Sequence, residues 1–367
     1  MKEHNYQFRH IKKSKTILVA PLHWGLGHAT RCVPIINALL SSGYKVIIGS
    51  DGAALHLLQK EFPKLPYIEL PEYKIKYPKK GKFFKYKLFM KLPEIKAAIK
   101  AEKKLVSKLI ENKSIDGIIS DNRWGVRNKK VPSVFITHQI NVLSGNTSIL
   151  SSKFHQKLIA KFDACWVPDN SGGINFSGKL GHPKKAKFPI TYIGPLSRMK
   201  KIELPKKYDI LALLSGPEPQ RSLLEQKLIK ELTTSSKKVL LVRGIVEKEP
   251  KTSEVENITI TNFLQTKDLE KAINESEIVV SRSGYTTIMD LAALEKAAFF
   301  IPTPGQFEQE YLAKELKKKG IVPSCKQDKF TLSKLNKVPF YSGLKNLEKE
   351  GFELKKLFAF FEGERKL

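Results

Sequence analysis

A histidine placed where a glycine-rich strand end hands over to a helix is the first grouping in this sequence that could do chemistry. Gly25-Leu26-Gly27-His28 follows the apolar, β-rich run Thr16 to Ala20 and precedes Ala29 to Leu40, where Val33, Ile36, Ala38, Leu39 and Leu40 recur at roughly helical spacing. Glycine there permits close backbone approach, and a helix N-terminus offers unpaired N–H groups to an anion or a polar ligand. An imidazole titrating at about pH 6.5 in that place suits a general base acting on a hydroxyl group, with helix capping or packing as the alternative use of His28. Thr30 stands where a dinucleotide fingerprint needs its third glycine, and the GK[ST] ending of a P-loop is missing. Hydride transfer and ATP hydrolysis therefore lose their main support.

A second grouping repeats this geometry. Ser281-Arg282-Ser283-Gly284 ends the strand Ile278 to Val280 and opens a helix, so Ser283 and Gly284 can present hydroxyl and backbone N–H groups to a phosphate, with Arg282 adding a charge-assisted contact. Asp290, about two turns along the same helix, could accept hydrogen bonds from a ribose diol. A plain turn and a solvated helix carboxylate are the bland readings of the same residues. Thr303 to Glu310 follows the next strand and so lies on the same carboxyl edge, where open α/β sheets bind ligands. Gln309 and Glu310 suit sugar hydroxyls there, or the ordinary preference of a helix start for acidic residues.

The elements that must position these groups form two α/β halves. Thr16 to Ala20, the helix to Leu40 and Lys45 to Gly49 make a βαβ unit, whose parallel strands require a right-handed crossover and a doubly wound sheet. Further strands are expected at Tyr67 to Leu70, Gly117 to Ser120, Ser133 to Thr137 and Ala164 to Val167, with a helix from about Pro93 to Asn112. The pattern lapses after Ile193-Gly194-Pro195-Leu196 and restarts with strand Ile210 to Leu214, helix Arg221 to Leu232, strands Val239 to Val242 and Ile258 to Thr261, helix Asp268 to Glu275, strand Ile278 to Val280, helix Thr286 to Leu294, strand Ala298 to Ile301 and helix Tyr311 to Lys319. The expected division is an N-terminal Rossmann-like domain over 1–195, a second over 196–345, and a C-terminal helix in 346–367 that packs back on the junction.

Composition bounds the partners. The 367 residues carry 65 Lys+Arg against 36 Asp+Glu, a formal charge of +29, and 41% are hydrophobic, enough for two cores. Cys32, Cys165 and Cys325 lie far apart, outside any CxxC or Cys/His cluster, which argues against a disulfide framework or a structural zinc site. No apolar run reaches the length of a membrane span. The expected setting is a reducing, cytoplasmic one. So large a basic excess suits nucleic acid or an anionic membrane surface.

The segments SRSGYTTIMDLAALEKAAFFIP and TPGQFEQEYLAKELKKKGI, with Gly25-Leu26-Gly27-His28 and Thr137-His138-Gln139-Ile140-Asn141, resemble the MurG-like family of GT-B glycosyltransferases, which contains the peptidoglycan GlcNAc transferase. The ordered set spans most of the chain. The resemblance implies an α/β GT-B fold, two doubly wound Rossmann-like domains facing an interdomain cleft. It places Arg282, Ser283 and Gly284 at the diphosphate and uridine region, Asp290 where the family has a Glu on the ribose hydroxyls, and Gln309 with Glu310 at the donor sugar. Ser215 and Gly216 occupy the family's second glycine-serine loop, with Arg221 as a candidate diphosphate contact; Pro217 and Glu218 depart from the pattern.

The implied reaction is an inverting, metal-independent transfer of a hexose or N-acetylhexosamine from a UDP-sugar, with no cofactor beyond that donor. His28 is the expected base. Asp121, in Ser120-Asp121-Asn122-Arg123, either orients His28 or binds acceptor, and Gly25, Gly27, His138 and Asn141 stand on the acceptor side. A UDP-sugar epimerase on the same fold and a basic nucleic-acid-binding protein are the competing readings. Lys74 to Lys91 interleaves lysines with Tyr77, Phe83, Phe84, Tyr86 and Phe89, the composition of an interfacial membrane segment. The expected partners are thus a nucleotide sugar, a lipid-linked or glycan acceptor and anionic membrane on the inner face of the plasma membrane, in preference to nucleic acid. Much of the remaining charge reads as a lysine-rich solvated surface.

Overall fold

The computed structural model describes residues 14–73, 92–172, 174–245, 247, 249–344 and 354–363. Two sheets organise them. The first has the order β3-β2-β1-β4-β5-β6-β7, built from β1 (Thr16–Pro21), β2 (Lys45–Ser50), β3 (Tyr67–Glu69), β4 (Gly117–Asp121), β5 (Ser133–Ile136), β6 (Ala164–Val167) and β7 (Ile190–Tyr192). Every pairing in it is parallel. Every residue of β4, β5 and β6 is buried, as expected of a parallel sheet covered on both faces.

The second sheet runs β10-β11-β9-β8-β12-β13, from β8 (Tyr208–Leu213), β9 (Val239–Val242), β10 (Thr252–Val255), β11 (Ile258–Thr261), β12 (Ser276–Ser281) and β13 (Ala297–Phe300). Only β10, an exposed edge strand, is antiparallel to its neighbour. Strand order reverses between β1 and β4 in the first sheet and between β8 and β12 in the second. Those reversals open crevices at the carboxyl ends of the strands, the places where doubly wound sheets take ligands. His28 and Asp121 flank the first crevice; Ser215 and Ser283 flank the second.

The sheets do not stand apart. One continuous apolar cluster runs from Ile17, Ala29 and Ile36 of the first half to Tyr285, Met289 and Leu312 of the second. Burial of this kind is worth about 25 cal/mol per Å² of apolar surface and holds both halves against each other. The last described segment, helical over Leu354–Leu357 and Phe358–Phe361, returns to the first sheet. Phe358 and Phe361 are buried there, Tyr44 donates from its hydroxyl to the Phe358 carbonyl at 3.0 Å, and a Cβ on Gly117 would come within 2.6 Å of the Phe361 ring. Gly117 is the residue that lets the returning chain close on β4.

Several elements differ from the sequence expectation. The helix expected from Tyr311 begins a turn earlier and covers Phe307–Lys318, because Gln306 is extended enough to start it and Glu308 and Glu310 suit the positive end of its dipole. The helix Gly52–Glu61, which buries Ala54, Leu55 and Leu58, is an element beyond the sequence expectation, as are the helix Ser148–Ile159 and the strands β7 and β10, which carry little periodic apolar pattern; Ser148–Ile159 buries only His155 and Ile159. The Lys74 to Lys91 segment lies outside the described residues, as does much of the expected terminal helix. Among the described residues, no helix is long and apolar enough to cross a membrane.

Candidate active site

The helix Gly27–Ser41 places His28 in its first turn and Arg31 one turn further on the same face. β4 ends at Asp121, directly beside Pro21 of β1, so a carboxylate from the neighbouring strand meets both side chains. His28 Nδ1 lies 2.9 Å from Asp121 Oδ1, and Arg31 donates from Nε to Asp121 Oδ2 at 2.5 Å and from Nη2 to Oδ1. Asp121 is fully buried and Arg31 nearly so, while the His28 ring keeps 15% of its surface. Burial alone would raise Asp121, but the charges and hydrogen bonds of Arg31 and His28 hold its carboxyl well below the usual carboxylate range. For His28, burial first and the Arg31 charge second push the imidazole below its ordinary value despite Asp121. The ring is therefore neutral at pH 7.

Arg31 Nη2 also approaches His28 Nδ1 to 2.7 Å, and Nδ1 can serve only one of its neighbours at a time. When Nδ1 donates its proton to Asp121, Nε2 is left as the basic nitrogen. That is the arrangement a general base requires.

His138 follows β5 and brings the two halves together. Arg31 Nη1 lies 3.1 Å from its Nδ1, and its Nε2 lies 2.9 Å from Oε1 of Glu308, in the first turn of the helix Phe307–Lys318 of the second half. Tyr285 stacks on the His138 ring at 4.1 Å between centroids, nearly parallel, and donates its hydroxyl to the Pro168 carbonyl. The start of helix Tyr285–Ala293 meets the start of the His28 helix directly: Thr286 Oγ1 donates to the Gly27 carbonyl at 3.3 Å, and a Cβ on Gly27 would come 2.6 Å from that oxygen. Gly25 holds φ +89°, a backbone state that favours glycine. Asn141 is taken up by the Leu180 and Lys179 carbonyls and by Gln156, which makes it part of the wall behind the site.

On the second sheet, Ser215 and Gly216 follow β8, with Gly216 at φ +101°. Gly284 starts the helix Tyr285–Ala293 without a side-chain cap, so the helix N-terminus keeps its N–H groups available. Ser283 donates its hydroxyl to the Gln309 carbonyl at 2.8 Å, tying this turn to the 303–310 segment. Gln309 Oε1 accepts from the Thr303 amide and Glu310 Oε1 from the Gly305 amide, both at 2.9 Å. These two side chains thus shape the loop they belong to.

Arg282 is placed differently from the sequence expectation. Its side chain is buried and donates to the carbonyls of Ile301, Pro302 and Gln220 and to Gln327 Oε1, with no carboxylate among these acceptors. Burial lowers it to about 10. In this structure it braces the carboxyl edge of the sheet rather than facing the crevice. Arg221 pairs with Glu218 one turn away at the surface. Asp290 accepts a 2.7 Å bond from Ser197 in the connection between the sheets, and burial raises it to about 6.

Arg31, Glu308 and Tyr285 were not among the residues expected from sequence. Arg31 was detectable, since it lies three positions after His28 on one helix. Nothing local to Glu308 points to His138, because their meeting depends on how the two sheets are set. Among the described residues, no group of His, Cys, Asp and Glu could hold a metal ion.

In sequence and in fold the chain is similar to known glycosyltransferases. Residues 220–349 match the glycosyltransferase family 28 C-terminal domain. An uncharacterized glycosyltransferase of Methanosarcina mazei is 25% identical over 325 residues, covering 81% of this chain and 82% of its own length. The UDP-N-acetylglucosamine--N-acetylmuramyl-(pentapeptide) pyrophosphoryl-undecaprenol N-acetylglucosamine transferase of Buchnera aphidicola is 26% identical over 218 residues, 57% of this chain and 56% of that one. In three dimensions the chain is similar to MurG of Acinetobacter baumannii, with a TM-score of 0.52 at 15% identity, covering 88% of this chain and 89% of that one. The two sheets and their facing crevices are a GT-B fold.

Proposed function

We propose that this chain, a MurG-like glycosyltransferase with a GT-B fold, carries out inverting, metal-independent transfer of a hexose or N-acetylhexosamine from a UDP-sugar to a lipid-linked or glycan acceptor. The observation that carries the reading is the meeting of two helix starts across the cleft. One holds His28 on Asp121; the other, one residue past Gly284, offers uncapped N–H groups to an anion. A base and a leaving-group site are thereby brought within reach of one sugar.

In this reading the acceptor hydroxyl oxygen attacks the anomeric carbon as the bond from that carbon to the diphosphate oxygen breaks. UDP departs with the bonding pair, and the acceptor proton passes to His28 Nε2. Asp121 keeps the ring in the tautomer that can take it and offsets the charge that forms. The departing diphosphate is stabilised by the N-termini of the helices Tyr285–Ala293 and Gln220–Leu232, preorganised dipoles that cost no rearrangement during reaction. Ser215, Gly216 and the backbone of Ser283 and Gly284 line that place. Arg221, which pairs with Glu218 at the start of the second of these helices, is the cation assigned to the diphosphate in this reading, since Arg282 is held by backbone carbonyls and Gln327. Asp290 takes the ribose hydroxyls and Gln309 with Glu310 the donor sugar.

The Buchnera relative's name specifies UDP-N-acetylglucosamine and a pyrophosphoryl-undecaprenol acceptor, which supports a UDP donor and a polyprenyl lipid carrier here. Lys74 to Lys91 would hold the protein peripherally on an anionic membrane, placing it on the inner face of the plasma membrane. Incubation with a panel of UDP- and GDP-sugars, with and without membrane lipid extract, tests the reading through nucleotide diphosphate release. UDP released only when lipid is present is expected. Epimerised donor would mark a UDP-sugar epimerase, and no release under any condition would refute transfer.

A further inference from the structure

His138 has a use that the transfer chemistry does not assign. Its two ring nitrogens face opposite halves of the molecule: Nδ1 faces Arg31 Nη1 at 3.1 Å and Nε2 faces Glu308 Oε1 at 2.9 Å. A guanidinium can only donate and an ionised carboxylate can only accept. Burial would raise the Glu308 carboxyl, but His138, His28 and Arg31 bring it below its ordinary value, so it is ionised. Both contacts are bonds only if His138 carries its proton on Nε2 and leaves Nδ1 bare. Tyr285, stacked at 4.1 Å and anchored by its hydroxyl to Pro168, holds the ring plane for both bonds.

The consequence runs on to the base. With Nη1 given to His138, Arg31 has Nε and Nη2 left for the two oxygens of Asp121, and Asp121 Oδ1 remains the acceptor for His28 Nδ1–H. Arg31 Nη2 also lies 2.7 Å from His28 Nδ1, so the row ends with His28 Nε2 bare only where Nδ1 donates to Asp121 in place of accepting from Arg31. The helix that supplies Glu308 also touches the first half through Tyr311, whose hydroxyl accepts from the Lys179 amide at 2.9 Å and whose ring lies under the Lys179 ammonium.

We propose that Glu308, with Tyr285, is a positioning residue for the transfer reaction. By fixing His138 across the cleft it orders the Arg31–Asp121–His28 row and sets the His28 tautomer only when the donor half is closed on the acceptor half. The inference rests on the reading of His28 as the base. It adds that a residue of the donor half, beside the segment expected to hold the donor sugar, prepares the proton acceptor of the other half. Premature deprotonation of an acceptor in an open cleft is thereby disfavoured.

The test uses the full chain labelled with 15N-histidine and reads the ring-nitrogen resonances of His28 and His138, assigned with single histidine variants. Wild type should show His138 protonated on Nε2 and His28 on Nδ1. Glu308→Ala should move the His28 resonances as well as those of His138. Glu308→Gln, which keeps an acceptor oxygen, should restore the wild-type pattern, and Tyr285→Phe should retain it because the stacked ring remains. With UDP-N-acetylglucosamine and membrane lipid extract, Glu308→Ala should lower kcat about tenfold while donor KM stays within about twofold. Unchanged His28 resonances in a folded Glu308→Ala protein would overturn the proposal. If His28→Ala abolishes turnover while Glu308→Ala alters neither spectrum nor kcat, positioning alone fails. If His28→Ala turns over like wild type, the base reading fails instead.

Discussion

Glu308 Oε1 sits 2.9 Å from Nε2 of His138, a bond between residues 170 positions apart that joins the donor-side helix Phe307–Lys318 to the end of β5. With the Thr286 to Gly27 contact it makes the two halves of the molecule one site. Neither half carries the arrangement alone. The first supplies His28, Arg31, Asp121 and His138; the second supplies the helix starts and the two residues that hold His138. The starts of the helices Gly27–Ser41 and Tyr285–Ala293 meet at Gly27, where no side chain separates them.

Gly27→Ala should therefore impair closure without unfolding the protein. The added Cβ would lie 2.6 Å from Thr286 Oγ1 and 3.3 Å from its Cβ, and relief either turns the hydroxyl away from the Gly27 carbonyl or moves the helix starts apart. Overpacking of this kind costs about 1–3 kcal/mol, so kcat/KM should fall roughly tenfold or more. The double variant Gly27→Ala, Thr286→Ala removes the clashing hydroxyl and should recover most of the loss. Steady-state kinetics of the three proteins check this; an unaffected single variant, or a double variant no better than the single, would show that closure does not depend on this contact.

The pH profile follows from His28. Because burial and Arg31 depress it, the ring is protonated only below a pKa lying under the ordinary 6.5 and is a competent base above it. The kcat/KM of the wild type should climb with unit slope on the acid side and level off before about pH 7. Asp121, held far below the usual range, does not titrate in this window. A half-maximal point above pH 7 would mean that another group limits the reaction.

Asp290 makes a prediction of opposite sign. Its folded value is raised from 3.8 to about 6, so the folded protein binds the proton more tightly than the unfolded chain does. The resulting stability is present below pH 3.8 and is lost as pH rises through about 6, above which the buried carboxylate is a burden. Asp290→Asn removes that burden. The melting temperature of the variant relative to wild type should be more favourable at pH 8 than at pH 4.5, while its UDP affinity, measured by calorimetry, should be weaker. A stability difference that does not change between these pH values would place the carboxylate in a solvated setting.

The sequence exposed the parts of this fold whose burial is two-sided and continuous. TILVA, GIIS and VLLV are strands whose residues, the leading Thr16 aside, are all buried, and the glycine loops after β1 and β12 mark helix starts by their own backbone requirements. Asp121 was legible for the same reason, lying at the end of such a strand, and His28 from the glycine loop that opens its helix. Lone side chains were harder. Arg282 reads as a phosphate ligand beside a Ser-Gly turn, yet the carbonyls of Ile301, just past β13, and of Gln220, the first residue of the helix Gln220–Leu232, claim it. Glu308 reads as ordinary first-turn chemistry, and only the packing of one sheet against the other gives it His138. Strand ends are written in local composition; partnerships across a cleft are not.

The most direct test of the account compares wild type with His28→Ala for UDP release from UDP-N-acetylglucosamine in the presence of membrane lipid extract, with UDP affinity measured on the same preparations. Loss of a general base removes about 10²- to 10⁴-fold in rate, so kcat should fall by at least a hundredfold while the UDP Kd stays within about twofold. A His28→Ala protein that releases UDP at close to the wild-type rate would contradict the central claim.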